Sequence, residues 1–233
     1  MDRLDILQEI VNRQKARTYL EIGVKKGKVF LNIKARKKIA VDTHFKIDMK
    51  RKIKSYFKNI TNIFNEYYEM TSDDFFEQHP DLFAKSNGLD VAFIDGLHTY
   101  KQSLRDVQNC LDFLNKDGVI VMHDCNPLSE VEAQPADSQD NAATLNLPGW
   151  SGSWSGDVWK TIALLRSTRT DLNIFVLDCD HGVGIIVRGE PEDMLNYSEE
   201  IIDNLSYKDL EKDRTKILNL KNTDFFKQFF SSE

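Results

Sequence analysis

The sequence predicts an α/β protein: a doubly wound, mostly parallel sheet of seven strands with one antiparallel strand at its edge. Three observations lead there. Short apolar runs rich in β-branched and aromatic residues alternate with helical patterns, as a parallel sheet with crossover helices requires. The first five runs are separated by connections long enough to hold helices. The last two are separated only by "CDHG", too short for a parallel crossover, so one late strand must run backwards in a hairpin.

In chain order the expected strands are "TYLEIGV" (18–24), "KIAVD" (38–42), "EYYEM" (66–70), "DVAFIDG" (90–96), "GVIVMHD" (118–124), "NIFVLD" (173–178) and "GVGIIVRG" (182–189). The N-terminal "MDRLDILQEIVNRQKAR" reads as an amphipathic, charged helix. Residues 125–156 are rich in Pro, Gly, Ser and Asn and show no apolar period. A segment of that length inside a compact domain is usually a functional lid or a disordered linker. Trp150 and Trp154 favour a lid or a substrate wall, because linkers are poor in aromatics; plain packing of the two rings is the other reading. After residue 190 the pattern is helical, with Ser206 placed to cap "YKDLEKDRTKILNL". One domain over 1–233 is expected, with an N-terminal helix, the 125–156 loop and a C-terminal helical extension.

Composition narrows the function classes. With 41% hydrophobic and 29% charged residues among 233, the chain is an ordinary globular sequence. A formal net charge of -6 argues against a dedicated nucleic-acid binder, which needs clustered lysine and arginine. The local exception, "KIDMKRKIKSYFK" (46–58), reads as a solvated helix face. Cys110, Cys125 and Cys179 form neither a CxxC pair nor an even set. No stretch resembles an export signal or reaches membrane-spanning length. The expected address is the cytoplasm, with a small molecule as partner and neither nucleic acid nor membrane; self-association is left open.

The first strand runs into "LEIGVKKGK", placing Glu21, Gly23 and Gly27 at a tight turn where a ligand can approach the main chain. Asp42 closes the second strand, where an acid in a doubly wound sheet accepts hydrogen bonds from ribose hydroxyls. The dinucleotide fingerprint GxGxxG is absent, since Lys25 stands two after Gly23, so a nucleoside without a pyrophosphate fits better. Ser72 and Asp73 in "TSDDF" are placed either to touch an adenine ring or to cap the helix that follows.

Taken together, "YLEIGVKKGKVF", "VDTHF", "VAFIDGLHTYKQSLRDVQNCLDFLNKDGVIVMHD" and "GDVWKTIALLR" resemble a Rossmann-like class I S-adenosylmethionine-dependent methyltransferase. The bacterial group is the methyltransferase-24-like one, related to macrocin O-methyltransferases and more distantly to catechol O-methyltransferase. The resemblance covers roughly residues 5–190. It implies S-adenosylmethionine as cofactor, with Glu21, Gly23 and Gly27 at its methionine end, Asp42 at the ribose, Ser72 and Asp73 at the adenine, and Asp95 beside them.

Asp95 and Asp124 end the fourth and fifth strands at the carboxyl edge, where open α/β sheets hold ligands. Two such carboxylates suit a divalent cation with oxygen ligands, magnesium (Mg2+) or manganese, with Asn126 as a third ligand. The metal-dependent relatives carry asparagine directly after the second acid. Here that position is Cys125, with Asn126 one later. His98, three residues past Asp95, stands where catechol-type relatives keep the base that takes the substrate proton; capping the next helix or binding metal are its other uses. Asp95 joins it as the second expected catalytic residue. His123, one before Asp124 on a strand, should face away from it. Asp157 should cap the helix after it, and Trp159 and Lys160 either reach the acceptor pocket or, the favoured reading, are structural. The expected activity is O-methylation of a sugar or other small hydroxylated metabolite. The alternatives are a metal-dependent hydroxylase of the cephalosporin-hydroxylase type on the same fold and a non-catalytic nucleoside-binding protein.

Overall fold

A computed structural model describes residues 1–85 and 88–230. The chain divides into two compact units, Met1–Gly96 with Arg105–Val121, and Leu97–Leu104 with Met122–Glu233.

The first unit is built on β1 (Thr18–Ile22), β2 (Lys37–Asp42), β3 (Glu66–Glu69), β4 (Leu89–Ile94) and β5 (Leu114–Met122, its last residue counted with the second unit). They lie in the order β3-β2-β1-β4-β5. β1 is central and runs parallel to both neighbours, with Leu20 opposite Ile39 on one side and Ala92 on the other. All five of its residues are buried. That is why its sequence is mostly apolar, with Thr18 and Glu21 as the exceptions. Against these strands pack α1 (Arg3–Arg13), α2 (Met49–Lys58), α3 (Ser72–Gln78), α4 (Asp81–Lys85) and part of α5 (Tyr100–Phe113). α1 begins in a capping box between Asp2 and Asp5 and buries Ile6, Leu7, Ile10 and Val11. Phe75, Phe76, Phe83 and Phe113 form one ring cluster under α3 and α4.

Lys38 is a buried cation inside this unit. Its Nζ donates to the carbonyls of Phe30 (2.7 Å) and Ile33 (2.9 Å) and to Asn62 Oδ1. Burial nonetheless pulls its pKa down to about 8, against the pull of Glu21 in the other direction.

The second unit contains α6 (Gln139–Thr144), α7 (Trp159–Thr168), β6 (Leu172–Leu177), β7 (Val183–Arg188), α8 (Glu199–Asn204), α9 (Tyr207–Leu218), β8 (Leu220–Lys221) and α10 (Thr223–Phe229). Its strands lie in the order β7-β6-β8. β6 and β7 pair antiparallel, with Phe175 opposite Ile185. The "CDHG" turn has left-handed backbone at both Asp180 (φ 47°) and His181 (φ 60°), and Gly182 N–H donates to the Cys179 carbonyl at 2.8 Å. Two successive positive φ values give the turn whose twist matches the strands it joins. Ser206 precedes α9 as expected, its backbone N–H donating to Asp209 Oδ2 at 2.8 Å.

Two expectations change. Among the described residues the strand count is eight, because the tail after residue 190, read as helical, also holds β8 beside β6. Asn219, left-handed at φ 47°, ends α9 and turns the chain into that strand. Two residues are too few to show a period of two. The 125–156 segment is likewise not all loop, since Ser138 caps the short polar helix α6. Among the described residues no helix is long and apolar enough to cross a membrane.

Candidate active site

In the first unit the expected cofactor residues gather around the end of β1. Gly23 N–H donates to the Val41 carbonyl at 2.9 Å, and its φ is +88°. A Cβ built there would lie 2.0 Å from the Asp95 carbonyl oxygen, so the close approach the glycine permits is made first of all by the end of β4. Asp95 N–H donates to the Ile22 carbonyl at 2.9 Å and extends the β1–β4 ladder to the acid itself. Lys25 (φ 48°) and Gly27 (φ 65°) continue the bend in left-handed backbone. Asp42 pins it: one carboxylate oxygen accepts from Lys25 N–H at 2.6 Å and the other from His44 N–H at 2.8 Å. A carboxylate has about four acceptor positions, so two stay open for hydroxyl donors.

Glu21 is 2% exposed, and the Tyr19 hydroxyl donates to it at 2.6 Å. Burial raises its pKa to about 8, with the Asp95 charge adding to the rise while the Tyr19 bond and Lys38 oppose it. At neutral pH the side chain is therefore mostly a neutral acid, able to donate as well as accept. The Asp95 carboxylate is 3.4 Å from the Arg3 guanidinium of α1.

Thr71, not Ser72 or Asp73, caps α3, its hydroxyl accepting from Asp74 N–H at 3.1 Å. Ser72 Oγ donates to the buried carboxylate of Asp106 at 2.6 Å, and Asp73 pairs with Arg105, also at 2.6 Å. Both therefore lean on α5, a link the sequence did not signal.

In the second unit the structure brings His98 and Asp124 together. Asp124, 7% exposed, has φ +59°. Its Oδ1 accepts from Ser155 Oγ at 2.9 Å, while Oδ2 lies 3.4 Å from His98 Nε2 and 2.9 Å from His123 Nδ1. That last contact corrects the expectation that His123 faces away. Strand alternation stops at Met122, and the left-handed backbone at Asp124 swings its side chain to the same side as its neighbour's. His123 Nε2 in turn lies 3.6 Å from Asp180 of the hairpin turn.

His98 Nδ1 is 2.6 Å from the Trp154 carbonyl oxygen. A carbonyl only accepts, so Nδ1 carries the proton, and the neutral ring presents its Nε2 lone pair on the side of Asp124. The Trp154 indole stacks on the imidazole with centroids 5.3 Å apart, and its Nε1–H donates to the Gln134 carbonyl at 2.8 Å. Gly156 passes so close that a Cβ there would sit 1.9 Å from the His98 carbonyl oxygen. The 125–156 segment thus builds the wall behind His98, while Trp150 is only half-buried.

Asn126 is held apart from this pair. Its Nδ2 donates to Asp178 at 3.1 Å, and its Oδ1, the atom a metal would take, accepts from Arg214. Asp157 does not cap its own helix; its carboxylate accepts from Tyr100 N–H at 2.7 Å and so caps α5. Trp159 and Lys160 are structural, the first 1% exposed and the second donating to the Asp203 carbonyl at 2.8 Å. Cys110 and Cys125 are buried and Cys179 is partly so.

Residues 20–125 match the family model of a methyltransferase domain, the group numbered 24. The matched group is the one the sequence motifs resemble. No curated protein matches. Among solved structures, the chain is similar to the SAH-bound methyltransferase PaMTH1 of Podospora anserina, with TM-score 0.52, 18% identity, and 82% of this chain and 80% of that one covered. Cofactor-bound Rv0187 from MTB is similar with TM-score 0.57 and 14% identity over 80% and 79%. So is the O-methyltransferase TomG of Streptomyces achromogenes, in complex with SAM, with TM-score 0.50 and 11% identity over 80% and 79%. At these identities the likeness carries the fold.

Proposed function

We propose that this chain transfers the methyl group of S-adenosylmethionine to a hydroxyl oxygen of a small hydroxylated metabolite, a sugar being the favoured class, in the cytoplasm. The observation that carries the reading is the placement of His98: its Nδ1 lies 2.6 Å from the Trp154 carbonyl oxygen, which leaves Nε2, 3.4 Å from the Asp124 carboxylate, as the nitrogen that can exchange a proton. S-adenosylmethionine, when bound, would supply the methyl group and leave as S-adenosylhomocysteine, and Nε2 of His98 would take the proton of the acceptor hydroxyl. The resulting imidazolium is then matched by Asp124, which Ser155 and His123 hold in place.

The cofactor's seat is assigned to Glu21, Gly23, Gly27, Asp42, Ser72, Asp73 and Asp95. Its support is the left-handed bend at Gly23–Gly27, the open acceptor positions on Asp42, and the SAH- and SAM-bound state of similar structures. A divalent cation is assigned to the carboxylate of Asp124, where it would acidify and orient the acceptor hydroxyl. Asn126 is left out as a ligand because Arg214 takes its oxygen.

The test is incubation with labelled S-adenosylmethionine and a panel of sugars, catechols and other hydroxylated acceptors, with and without a chelator. Labelled ether product is expected, and His98→Ala should lower kcat by roughly 10²–10⁴-fold while leaving S-adenosylhomocysteine affinity intact. Hydroxylated product formed with iron and an oxidant, without methyl transfer, would select the hydroxylase reading instead.

A further inference from the structure

α2 is turned the wrong way round for an ordinary surface helix. At 3.6 residues per turn, Met49, Ile53 and Phe57 share an arc of roughly 80°, and Ser55 lies on the opposite side. The residue buried in this helix is Ser55, while Met49, Ile53 and Phe57 are 67%, 48% and 89% exposed. The polar side is the one that grips the protein: Arg51 Nη1 donates to the Lys26 carbonyl at 2.9 Å, and Lys52 Nζ sits 4.0 Å from the centre of the Tyr67 ring. The next turn, Ile60–Phe64, continues the ridge, with Ile60, Ile63 and Phe64 exposed to 65%, 53% and 71%. Six of the eleven exposed large hydrophobic residues among the described ones therefore fall between 49 and 64. Such a concentration marks an interaction surface.

The charge around the ridge says what covers it. Residues 46–58 carry Lys46, Lys50, Arg51, Lys52, Lys54 and Lys58 against the single acid Asp48, in a chain whose net charge is -6. By the same helical spacing Lys50 and Lys54 follow the ridge on one side and Lys52 on the other, so cations flank the apolar strip. A second copy of the chain would set lysines against lysines. A lipid surface supplies both partners at once: phosphates for the flanking cations, and an acyl boundary for the apolar ridge a few ångströms further in.

We propose that α2 and the turn after it are a docking surface for an anionic phospholipid membrane, with Lys50 and Lys54 beside the ridge taking headgroup phosphates. The inference departs from the expectation of no membrane partner and is independent of the methyl-transfer reading. It makes the chain a peripheral protein whose acceptor hydroxyl would be met at or near a bilayer.

Co-sedimentation with vesicles tests it. The full chain should bind vesicles of phosphatidylcholine mixed with phosphatidylglycerol, should bind phosphatidylcholine alone weakly, and should be released by salt. Lys50→Ala and Lys54→Ala should each weaken anionic-vesicle binding by about fivefold. Phe57→Ser with Phe64→Ser should abolish it, with the melting temperature and S-adenosylhomocysteine binding unchanged because both rings are solvent-facing. Absence of binding, equal binding to neutral vesicles, or indifference to these substitutions would overturn the proposal. So would a concentration-dependent dimer on size-exclusion chromatography that Phe57→Ser dissolves, which would make a second copy the occupant.

Discussion

Gly23→Ala is the sharpest perturbation the bend at the end of β1 offers. The new Cβ would meet the Asp95 carbonyl oxygen at 2.0 Å, the Asp95 carbonyl carbon at 2.4 Å and the Gly96 Cα at 2.6 Å. All three are backbone atoms, so no side chain can rotate to relieve the contact. Left-handed backbone costs a non-glycine residue about 1–2 kcal/mol. Forcing apart a packed strand end costs about 1–3 kcal/mol more. Loss of glycine's freedom in the unfolded chain returns about 0.4–1 kcal/mol. A net loss of about 1–4.6 kcal/mol is expected, and the displaced atoms belong to Asp95 and Gly96, so affinity for S-adenosylhomocysteine should fall as well. Gly27→Ala is the control. Its Cβ would meet only the Leu31 and Ile47 side chains at 3.2–3.3 Å, so the loss should stay near the backbone cost less the same unfolded-state return, about 0–1.6 kcal/mol. Urea denaturation of both variants and calorimetry with S-adenosylhomocysteine measure the pair. A Gly23→Ala protein as stable as wild type, or a larger loss at Gly27, would refute the reasoning.

Two further outcomes follow from the same coordinates. Glu21 has its folded pKa raised to about 8 from 4.5, so the stability it lends is complete below pH 4.5 and is lost as pH rises through 8. Glu21→Gln keeps the bond from Tyr19 and should flatten the stability profile across that window, gaining on wild type toward pH 8; denaturant titrations at several pH values would show it, and an unchanged slope would contradict it. Lys38, lowered to about 8 from 10.5, gives the opposite slope, stability rising from pH 8 to 10.5, so the two can be separated. Asp157→Ala removes the cap on Tyr100 N–H and should cost about 1 kcal/mol in thermal or chemical unfolding, whereas a cap of its own helix would be spared by shifting one residue.

The sheet was legible because buried parallel strands leave long apolar runs, and the "CDHG" hairpin because four residues admit no crossover. β8 was not, being two residues long. At the site, the residue types and their strand-end positions could be read, but their directions could not. Asp is among the few residues that tolerate left-handed backbone, and nothing in "MHDC" announces that Asp124 takes it and thereby meets His123. Ser155 and the Trp154 carbonyl come from a segment without period, so their contacts with Asp124 and His98 exist only once that segment folds back. The amphipathic pattern of α2 was plain, yet amphipathicity does not say which face meets solvent, and here it is the apolar one.

Calorimetric titration of the folded protein with S-adenosylhomocysteine tests most directly whether the bend between β1 and Asp42 seats the methyl donor. Saturable one-site uptake, reduced at least tenfold by Asp42→Ala, is expected, since that carboxylate both holds the Lys25–His44 loop and offers the ribose acceptors. No heat of binding from protein that melts cooperatively would contradict it.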